Sequence, residues 1–340
     1  MPKAVIELND ARPIWRIPDA ARARIRAAFP PDWDVVEIAE PADGRADGAG
    51  PSSAALAEIV DAEVYFGFGV SAELLRAAPR LRWAHSGTAG IRGSLSDEMM
   101  RRPVLLTNSA GVHAAPVAET VLGALLHFAR GLDFAVRGQA RREWWKAPFD
   151  DAATPVAELG SWTVGVFGFG GIGRAVALRA GALGARVLGY KRRHAVPPPG
   201  VELLYGEAGF ARLLAESDAL VLAAAETPIT RRRFDREVFG RLKPGAVLVN
   251  VARGALIEQP ALLEALRSGR LRGAALDVFA IEPLPPDDPL WDLEGVLVTP
   301  HVSAYSRGFW RRETSLIEDN VERFLAGRPL RNVVDKEAGY

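Results

Sequence analysis

Residues 163–173 read Thr-Val-Gly-Val-Phe-Gly-Phe-Gly-Gly-Ile-Gly, and no other stretch constrains the fold as strongly. Val164, Val166 and Phe167 have the apolar character of a buried strand. Gly168, Gly170 and Gly173 at its end form G-x-G-x-x-G, and the Arg-Ala-Val-Ala-Leu-Arg-Ala that follows has helix-forming composition. A glycine turn between strand and helix lets the backbone approach a pyrophosphate, which then sits against the N–H groups of the helix N-terminus. The first glycine serves the tight turn, the second the close approach to the ligand, and the third the packing of helix on strand. In a chain with 33 glycines the spacing alone says little; the flanking strand and helix turn it into a prediction of dinucleotide binding rather than of a bare turn. The predicted lining is Gly168, Phe169, Gly170, Gly171, Ile172 and Gly173.

The stretches on either side alternate between strand and helix. Strands are predicted at 4–8, 35–38, 64–68, 81–85 and 104–107, and helices at 20–28, 54–60 and 72–77, with a Gly/Ala/Asp-rich loop over 41–53. A long helix is predicted over 114–140, with Val117, Val121, Leu122, Leu125, Leu126 and Phe128 on its apolar face. After the glycine turn the predicted order is helix 172–183, strand 186–190, a proline break at 197–199, helix 207–216, strand 219–224, helix 231–241 and strand 246–251. Helix 259–268 and strands 273–277 and 296–299 complete this half. Such alternation indicates α/β architecture, parallel sheets flanked by helices. The last helix, 307–326, has only the N-terminal sheet left to pack on, so the predicted domains are 1–110 with 303–340, and 111–302.

Composition narrows the function. Lys plus Arg and Asp plus Glu number 42 each, so net charge gives no case for nucleic acid or an anionic membrane as partner. There is no cysteine, which removes disulfides, thiolate metal sites and thiol nucleophiles. No apolar run reaches the length of a membrane span, and the N-terminus lacks the apolar core of a signal peptide, so a cytoplasmic protein is expected. No cluster has metal-ligand spacing, and Asp287-Asp288 reads as a solvated loop, so no metal is predicted.

Three polar residues stand past predicted strands of the second half: Arg253 after Val-Leu-Val-Asn-Val-Ala, Glu282 after Leu-Asp-Val-Phe-Ala-Ile, and His301 after Val-Thr-Pro. Ligands of open α/β sheets bind outside the carboxyl ends of the strands. Hydride transfer at C2 of a 2-hydroxy acid needs a proton acceptor for the hydroxyl, a part that suits histidine. A carboxylate beside the ring orients it and favours its protonated form. An arginine holds a substrate carboxylate by paired hydrogen bonds. Each residue alone also fits an ordinary loop; their combination is what points to chemistry.

The segments Gly245–Ile257, Gly273–Pro285 and Thr299-Pro-His, together with Gly168–Gly173, Glu226-Thr-Pro-Ile-Thr, Asn108-Ser-Ala-Gly-Val-His and Val117-Ala-Glu, resemble the D-isomer-specific 2-hydroxyacid dehydrogenase family over about residues 60–325. The resemblance implies a Rossmann cofactor domain inserted in a flavodoxin-like substrate domain. It also implies a homodimer, for which the helix after residue 113 and Trp144-Trp145 would serve. It makes Arg253 the substrate anchor, Glu282 the partner of the histidine and His301 the acid/base, and it adds Thr227, Pro228, Val251, Ala252 and Asp277 to the expected cofactor contacts. The substrate carboxylate is expected at backbone N–H groups of the loop Ser86-Gly-Thr-Ala-Gly-Ile, with Thr88, Ala89 and Gly90 as binding residues beside Arg253. Arg92 departs from the acidic or polar residue of many members.

An NAD enzyme usually carries Asp or Glu about 20 residues past the glycines, bonded to the ribose 2′-hydroxyl. Here Lys191 stands in that place, followed by Arg192 and Arg193, and three cations favour the 2′-phosphate of NADP, with NAD the alternative cofactor. Of the remaining histidines, His127 reads as core or interface, His85 and His194 as structural or exposed, and His113 as a residue near the domain junction that could touch substrate. The expected function is reduction of small 2-keto acids, glyoxylate or hydroxypyruvate among them, to D-2-hydroxy acids. The alternatives are an NAD-linked dehydrogenase of the phosphoglycerate type and a non-catalytic cofactor sensor similar to the corepressors that share the fold.

Overall fold

The computed structural model describes residues 1–42 and 50–339, so 43–49 of the predicted loop 41–53 lie outside the described residues. The chain divides into two compact units, Met1–His113 with Tyr305–Tyr340, and Ala114–Ala304.

The first unit holds a five-stranded sheet of β1 (Lys3–Glu7), β2 (Asp34–Glu37), β3 (Val64–Gly67), β4 (Trp83–Ser86) and β5 (Leu105–Asn108). All pairings are parallel and the order is β2-β1-β3-β4-β5. This is the flavodoxin-like order. The residues of β1, β3 and β4 are buried throughout, as expected of parallel strands covered on both faces. Helix Phe309–Leu325 lies against one face, where Phe309, Trp310, Ile317 and Val321 pack with Ile6, Phe66 and Trp83. A short helix at Asp97–Arg101, capped by the Ser96 hydroxyl, adds an element that the sequence pattern does not announce.

The second unit is a seven-stranded parallel sheet of β6 (Thr163–Phe167), β7 (Arg186–Tyr190), β8 (Val201–Leu204), β9 (Ala219–Leu222), β10 (Ala246–Asn250), β11 (Leu271–Leu276) and β12 (Val296–Val298). Its order is β12-β11-β10-β9-β6-β7-β8, so β6 and β9 flank the point where the winding direction reverses. This is the doubly wound Rossmann arrangement, with ligands expected at the carboxyl edge beside that point.

Several expected elements are corrected. The helix expected over 114–140 is two, Ala114–Ala129 and Leu132–Arg141, separated at Gly131, whose φ of 65° is left-handed. Val117, Val121, Leu125 and Phe128 are buried as the pattern requires. Strand β8 is absent from the predicted order: it is a sheet-edge strand of four residues, only Leu204 of which is fully buried, directly after the prolines. The helix expected over 231–241 shrinks to Arg236–Gly240, because Asp235 accepts from Val238 N–H at 2.9 Å and so fixes the helix start.

Candidate active site

Strands β10, β11 and β12 are adjacent and parallel, so the loops after them leave the sheet side by side at its carboxyl edge. Those loops carry Arg253, Glu282 and His301. After β10, the fully buried Asn250 closes the turn: its Oδ1 accepts from Ala252 N–H at 3.1 Å and its Nδ2 donates to Arg253 O at 3.1 Å. Gly254 then passes against the next loop so closely that a Cβ there would lie 1.9 Å from the Phe279 carbonyl carbon. After β11, the Glu282 carboxylate is held at both ends: Oε1 accepts from Phe279 N–H and Oε2 meets His301 Nδ1, each at 2.8 Å.

His301 adopts a left-handed backbone, φ 55°, unusual for a residue with a side chain. Asp277 holds that loop in shape. Its Oδ1 accepts from the Thr299 hydroxyl at 2.6 Å and Val302 N–H at 2.9 Å, and its Oδ2 from Ser303 N–H at 3.1 Å. Asp277 is 3% exposed, and both oxygens of a residue expected among the cofactor contacts are turned onto residues 299–303. The loop, in turn, presents a His301 side chain that is 44% exposed.

Burial pushes the Glu282 carboxyl up. The His301 hydrogen bond outweighs it, together with the Phe279 N–H and the charges of His301 and Arg253, and holds the group below its ordinary value. An ionised Glu282 is an acceptor only, so Nδ1 of His301 carries the hydrogen and Nε2 is the nitrogen that can exchange a proton with a substrate.

The three glycines of the β6 turn are not alike. Gly168 has φ 98°, and a Cβ on it would sit 2.4 Å from Ala224 N. A Cβ on Gly173 would sit 2.2 Å from Gly168 O. A Cβ on Gly170 would meet no protein atom within 4 Å, so the space in front of it is open at the start of helix Gly171–Ala182. That open cradle, beside helix N–H groups that have no partner inside the helix, fits a pyrophosphate. Phe169 is buried and packs over Gly189, and Ile172 is half-buried. Lys191, Arg192 and Arg193 follow β7, with Lys191 half-buried and both arginines exposed. Thr227 and Pro228 lie in a turn after β9, closed by Thr227 N–H donating to the Thr230 hydroxyl at 2.8 Å. Val251 and Ala252 are buried past the end of β10.

In the first unit, the loop after β4 has its carbonyls turned inward. Ser109 N–H donates to Thr88 O at 3.1 Å, Asn108 Nδ2 to Ala89 O at 2.9 Å, and the Thr88 hydroxyl to Gly90 O at 2.6 Å. The N–H groups of Thr88, Ala89 and Gly90 have no acceptor among the described residues. Successive free N–H groups of this kind suit an anion. Arg92 is exposed in the turn Arg92–Ser94, and His113 stacks on Phe309 with ring centroids 5.2 Å apart. His85 is fully buried, His127 packs edge-on against Phe128, and His194 stacks on Tyr205. Asn108, Ser109, Asn250 and Thr299, which shape these loops, are missed by sequence reasoning; the only signal is a polar side chain at or just past the end of an apolar strand. No group of three or more potential metal ligands occurs among the described residues, and none of their helices is long and apolar enough to cross a membrane.

Known proteins resemble this arrangement. Glyoxylate reductase of Korarchaeum cryptofilum is 34% identical over 271 residues, which is 79% of this chain and 80% of that protein. D-3-phosphoglycerate dehydrogenase of Mycobacterium leprae is 34% identical over 79% of the chain, but the match spans only 50% of that longer protein, so the chain covers about half the length of this relative. Among solved structures, the NADPH-dependent glyoxylate/hydroxypyruvate reductase of Sinorhizobium meliloti, in complex with NADP and sulfate, superposes over 100% of both chains with TM-score 0.79 and 30% identity. Residues 122–303, which carry the glycine turn and all three loops of the Arg253, Glu282 and His301 set, match the model for the NAD binding domain of D-isomer specific 2-hydroxyacid dehydrogenases. With more than half of the chain inside that match, the chain belongs to the D-isomer specific 2-hydroxyacid dehydrogenase family.

Proposed function

We propose that this chain is a cytoplasmic, NADP(H)-preferring reductase of small 2-keto acids that yields D-2-hydroxy acids, with glyoxylate or hydroxypyruvate as substrate. The observation that carries the reading is the His301–Glu282 pair, 2.8 Å apart and partly exposed past the carboxyl ends of adjacent strands. Full-length likeness to a reductase, against half-length likeness to a phosphoglycerate dehydrogenase, supports the direction and the substrate class.

When bound, the nicotinamide cofactor supplies hydride to C2 of the keto acid. The chain supplies the rest. His301, protonated, donates from Nε2 to the carbonyl oxygen as C2 is reduced, and in the reverse direction Nε2 accepts the hydroxyl proton. Glu282 holds Nδ1–H, which fixes the ring and balances the imidazolium charge. Arg253 is the second unit's anchor for a substrate carboxylate, and the N–H groups of Thr88, Ala89 and Gly90 are the donors that the first unit offers to an anion. Gly168–Gly173 and the N-terminus of helix Gly171–Ala182 would hold the pyrophosphate, and Lys191, Arg192 and Arg193 would supply positive charge for the 2′-phosphate. The proposed division of labour gives the first unit to substrate and the second to cofactor. A homodimer is part of the reading, supported by the exposure of Leu132, Val136 and Trp144 around helix Leu132–Arg141, and sedimentation measures it directly.

A spectrophotometric panel of 2-keto acids with NADPH and NADH tests the proposal. The expected result is NADPH oxidation with glyoxylate or hydroxypyruvate, reduced at least about 10²-fold in kcat by His301→Ala while NADPH still binds. A preference for NADH and a phosphorylated keto acid would replace it with the phosphoglycerate-type reading. Tight NADPH binding with no turnover on any acid would leave a cofactor sensor.

A further inference from the structure

Behind the loop 86–90 lies a buried polar network that the proposed chemistry does not use. Glu313, on helix Phe309–Leu325, is fully buried, as are His85, Ser86, Thr107 and Ser109. Its Oε1 lies 2.8 Å from His85 Nε2 and accepts from the Ser109 hydroxyl at 2.9 Å. On its other nitrogen His85 meets the Thr107 hydroxyl at 2.9 Å, and that hydroxyl accepts from Trp83 Nε1 at 2.8 Å. One donor direction satisfies the whole chain: Trp83 to Thr107, Thr107 to His85, and His85 to Glu313, with Ser109 arriving from the other side.

This donor chain therefore runs toward one carboxylate, 204 residues from Ser109 in sequence. The other oxygen, Oε2, is buried with no partner among the described residues. A carboxylate kept in such a place is a poor choice for stability alone, since burial without full compensation is unfavourable. Ser109 connects it to the loop. Its N–H donates to Thr88 O at 3.1 Å, and its hydroxyl, with one hydrogen to give, lies 2.9 Å from Glu313 Oε1 and 3.1 Å from Ser86 O. The Thr88 carbonyl is thus tied to a serine whose hydroxyl Glu313 draws toward itself.

We propose that Glu313 is a positioning residue for substrate binding: acting through Ser109, it sets the carbonyl of Thr88 so that the N–H groups of Thr88, Ala89 and Gly90 stay aligned on a carboxylate. The proposal rests on the reading that this loop binds the keto-acid carboxylate. Glu313 touches neither substrate nor cofactor. Its effect falls on keto-acid KM, with NADPH KM and kcat at saturating acid largely unchanged.

The test is a double-mutant cycle on steady-state constants, using full-length Glu313→Gln, Ser109→Ala and the double variant, each checked for a wild-type-like melting transition. Glu313→Gln keeps the shape and removes the charge; Ser109→Ala removes the connection with a minimal change of volume. Each single variant is expected to raise keto-acid KM roughly three- to tenfold, the range for the net loss of one ordinary hydrogen bond, since neither side chain touches the acid. Because both act on one path, adding Glu313→Gln to Ser109→Ala is expected to raise KM no further. Additive effects, or a KM unchanged in either single variant, overturn the proposal, as does an equal change in NADPH KM. Gly90→Pro, which deletes one loop N–H, separates the two readings. If it leaves KM unchanged, the loop is not the carboxylate site and the underlying reading fails. If it raises KM while the Glu313 and Ser109 variants do not, only the positioning role falls.

Discussion

Gly254 lies so close to Phe279 that a Cβ on the glycine would come within 1.9 Å of the Phe279 carbonyl carbon and 2.3 Å of Ala280 N. The contact is backbone against backbone, so no side-chain rotation relieves it. It fixes the turn after β10, which carries Arg253, against the loop after β11, which carries Glu282. Gly254→Ala is therefore expected to push the two loops apart. A destabilisation of about 1–3 kcal/mol, the usual range for overpacking, should appear in denaturant unfolding. A larger fall is expected in kcat/KM than in NADPH affinity, because the glycine turn is elsewhere on the sheet. Wild-type turnover in Gly254→Ala would show that the close approach does not set the geometry of Arg253.

The glycines of the β6 turn offer a sharper contrast. A Cβ on Gly170 meets nothing within 4 Å, whereas one on Gly173 would lie 2.2 Å from Gly168 O. Gly170→Ala is expected to melt within a few degrees of the wild type, since helix-start geometry is retained and no atom is displaced. Its NADPH affinity should nevertheless fall at least about tenfold, because the methyl group occupies the space proposed for the pyrophosphate. Gly173→Ala should instead lose stability first. Calorimetry of both variants with and without NADPH checks this, and equal behaviour of the two would count against separate roles.

How far the sequence can be read depends on the kind of information a feature needs. The strand–turn–helix at β6 is written locally, in apolar period and glycine spacing, and the structure has β6 and helix Gly171–Ala182 within a residue of expectation. Strand β8 is hidden because Val-Glu-Leu-Leu is a half-exposed sheet edge after three prolines, with neither alternation nor a continuous buried run. The break at Gly131 is hidden because it is one of three glycines in that stretch, and Gly123 and Gly138 stay inside helices; a Cβ at 131 would lie 2.8 Å from Val156 and 3.0 Å from Phe149, contacts that only the folded chain makes. In the site, the residue types of Arg253, Glu282 and His301 are legible from chemistry. The parts of Asp277, Asn250 and Ser109 are not, because each depends on which neighbouring turn its side chain faces, a property of strand order rather than of strand composition.

The proposed preference for NADPH rests on three consecutive side chains. Lys191, Arg192 and Arg193 leave the end of β7, the strand next to the one that carries the glycine turn. A charge-assisted contact to phosphate contributes about 1.5–3 kcal/mol, or roughly ten- to a hundredfold in affinity. NADPH is accordingly expected to exceed NADH in kcat/KM. Lys191→Asp combined with Arg192→Ala should reverse the order, by repelling the 2′-phosphate and offering an acceptor to a 2′-hydroxyl. Steady-state constants for both cofactors measure it, and a wild-type protein that favours NADH would refute the assignment.

The pairing of Glu282 with His301 has two consequences, one for stability and one for turnover. Burial raises the Glu282 carboxyl, but the hydrogen bonds from His301 and Phe279 N–H and the neighbouring positive charges leave it below the ordinary value of 4.5. A depressed folded-state value contributes stability that is fully present above the unfolded value and is lost as pH falls through the folded one. Melting curves of wild type and Glu282→Gln should therefore differ most near neutral pH and converge in acid below the ordinary carboxylate range. With Glu282 more than a third exposed, solvent keeps the difference small, so the comparison needs low salt. The second consequence is kinetic. Reduction draws a proton from the ring, which Glu282 holds in place through Nδ1. An amide at 282 holds that ring less firmly, so kcat with a keto acid is expected to fall in Glu282→Gln while NADPH affinity is kept. Wild-type kcat in that variant would mean that the 2.8 Å contact is made by a carboxylate with no part in proton transfer.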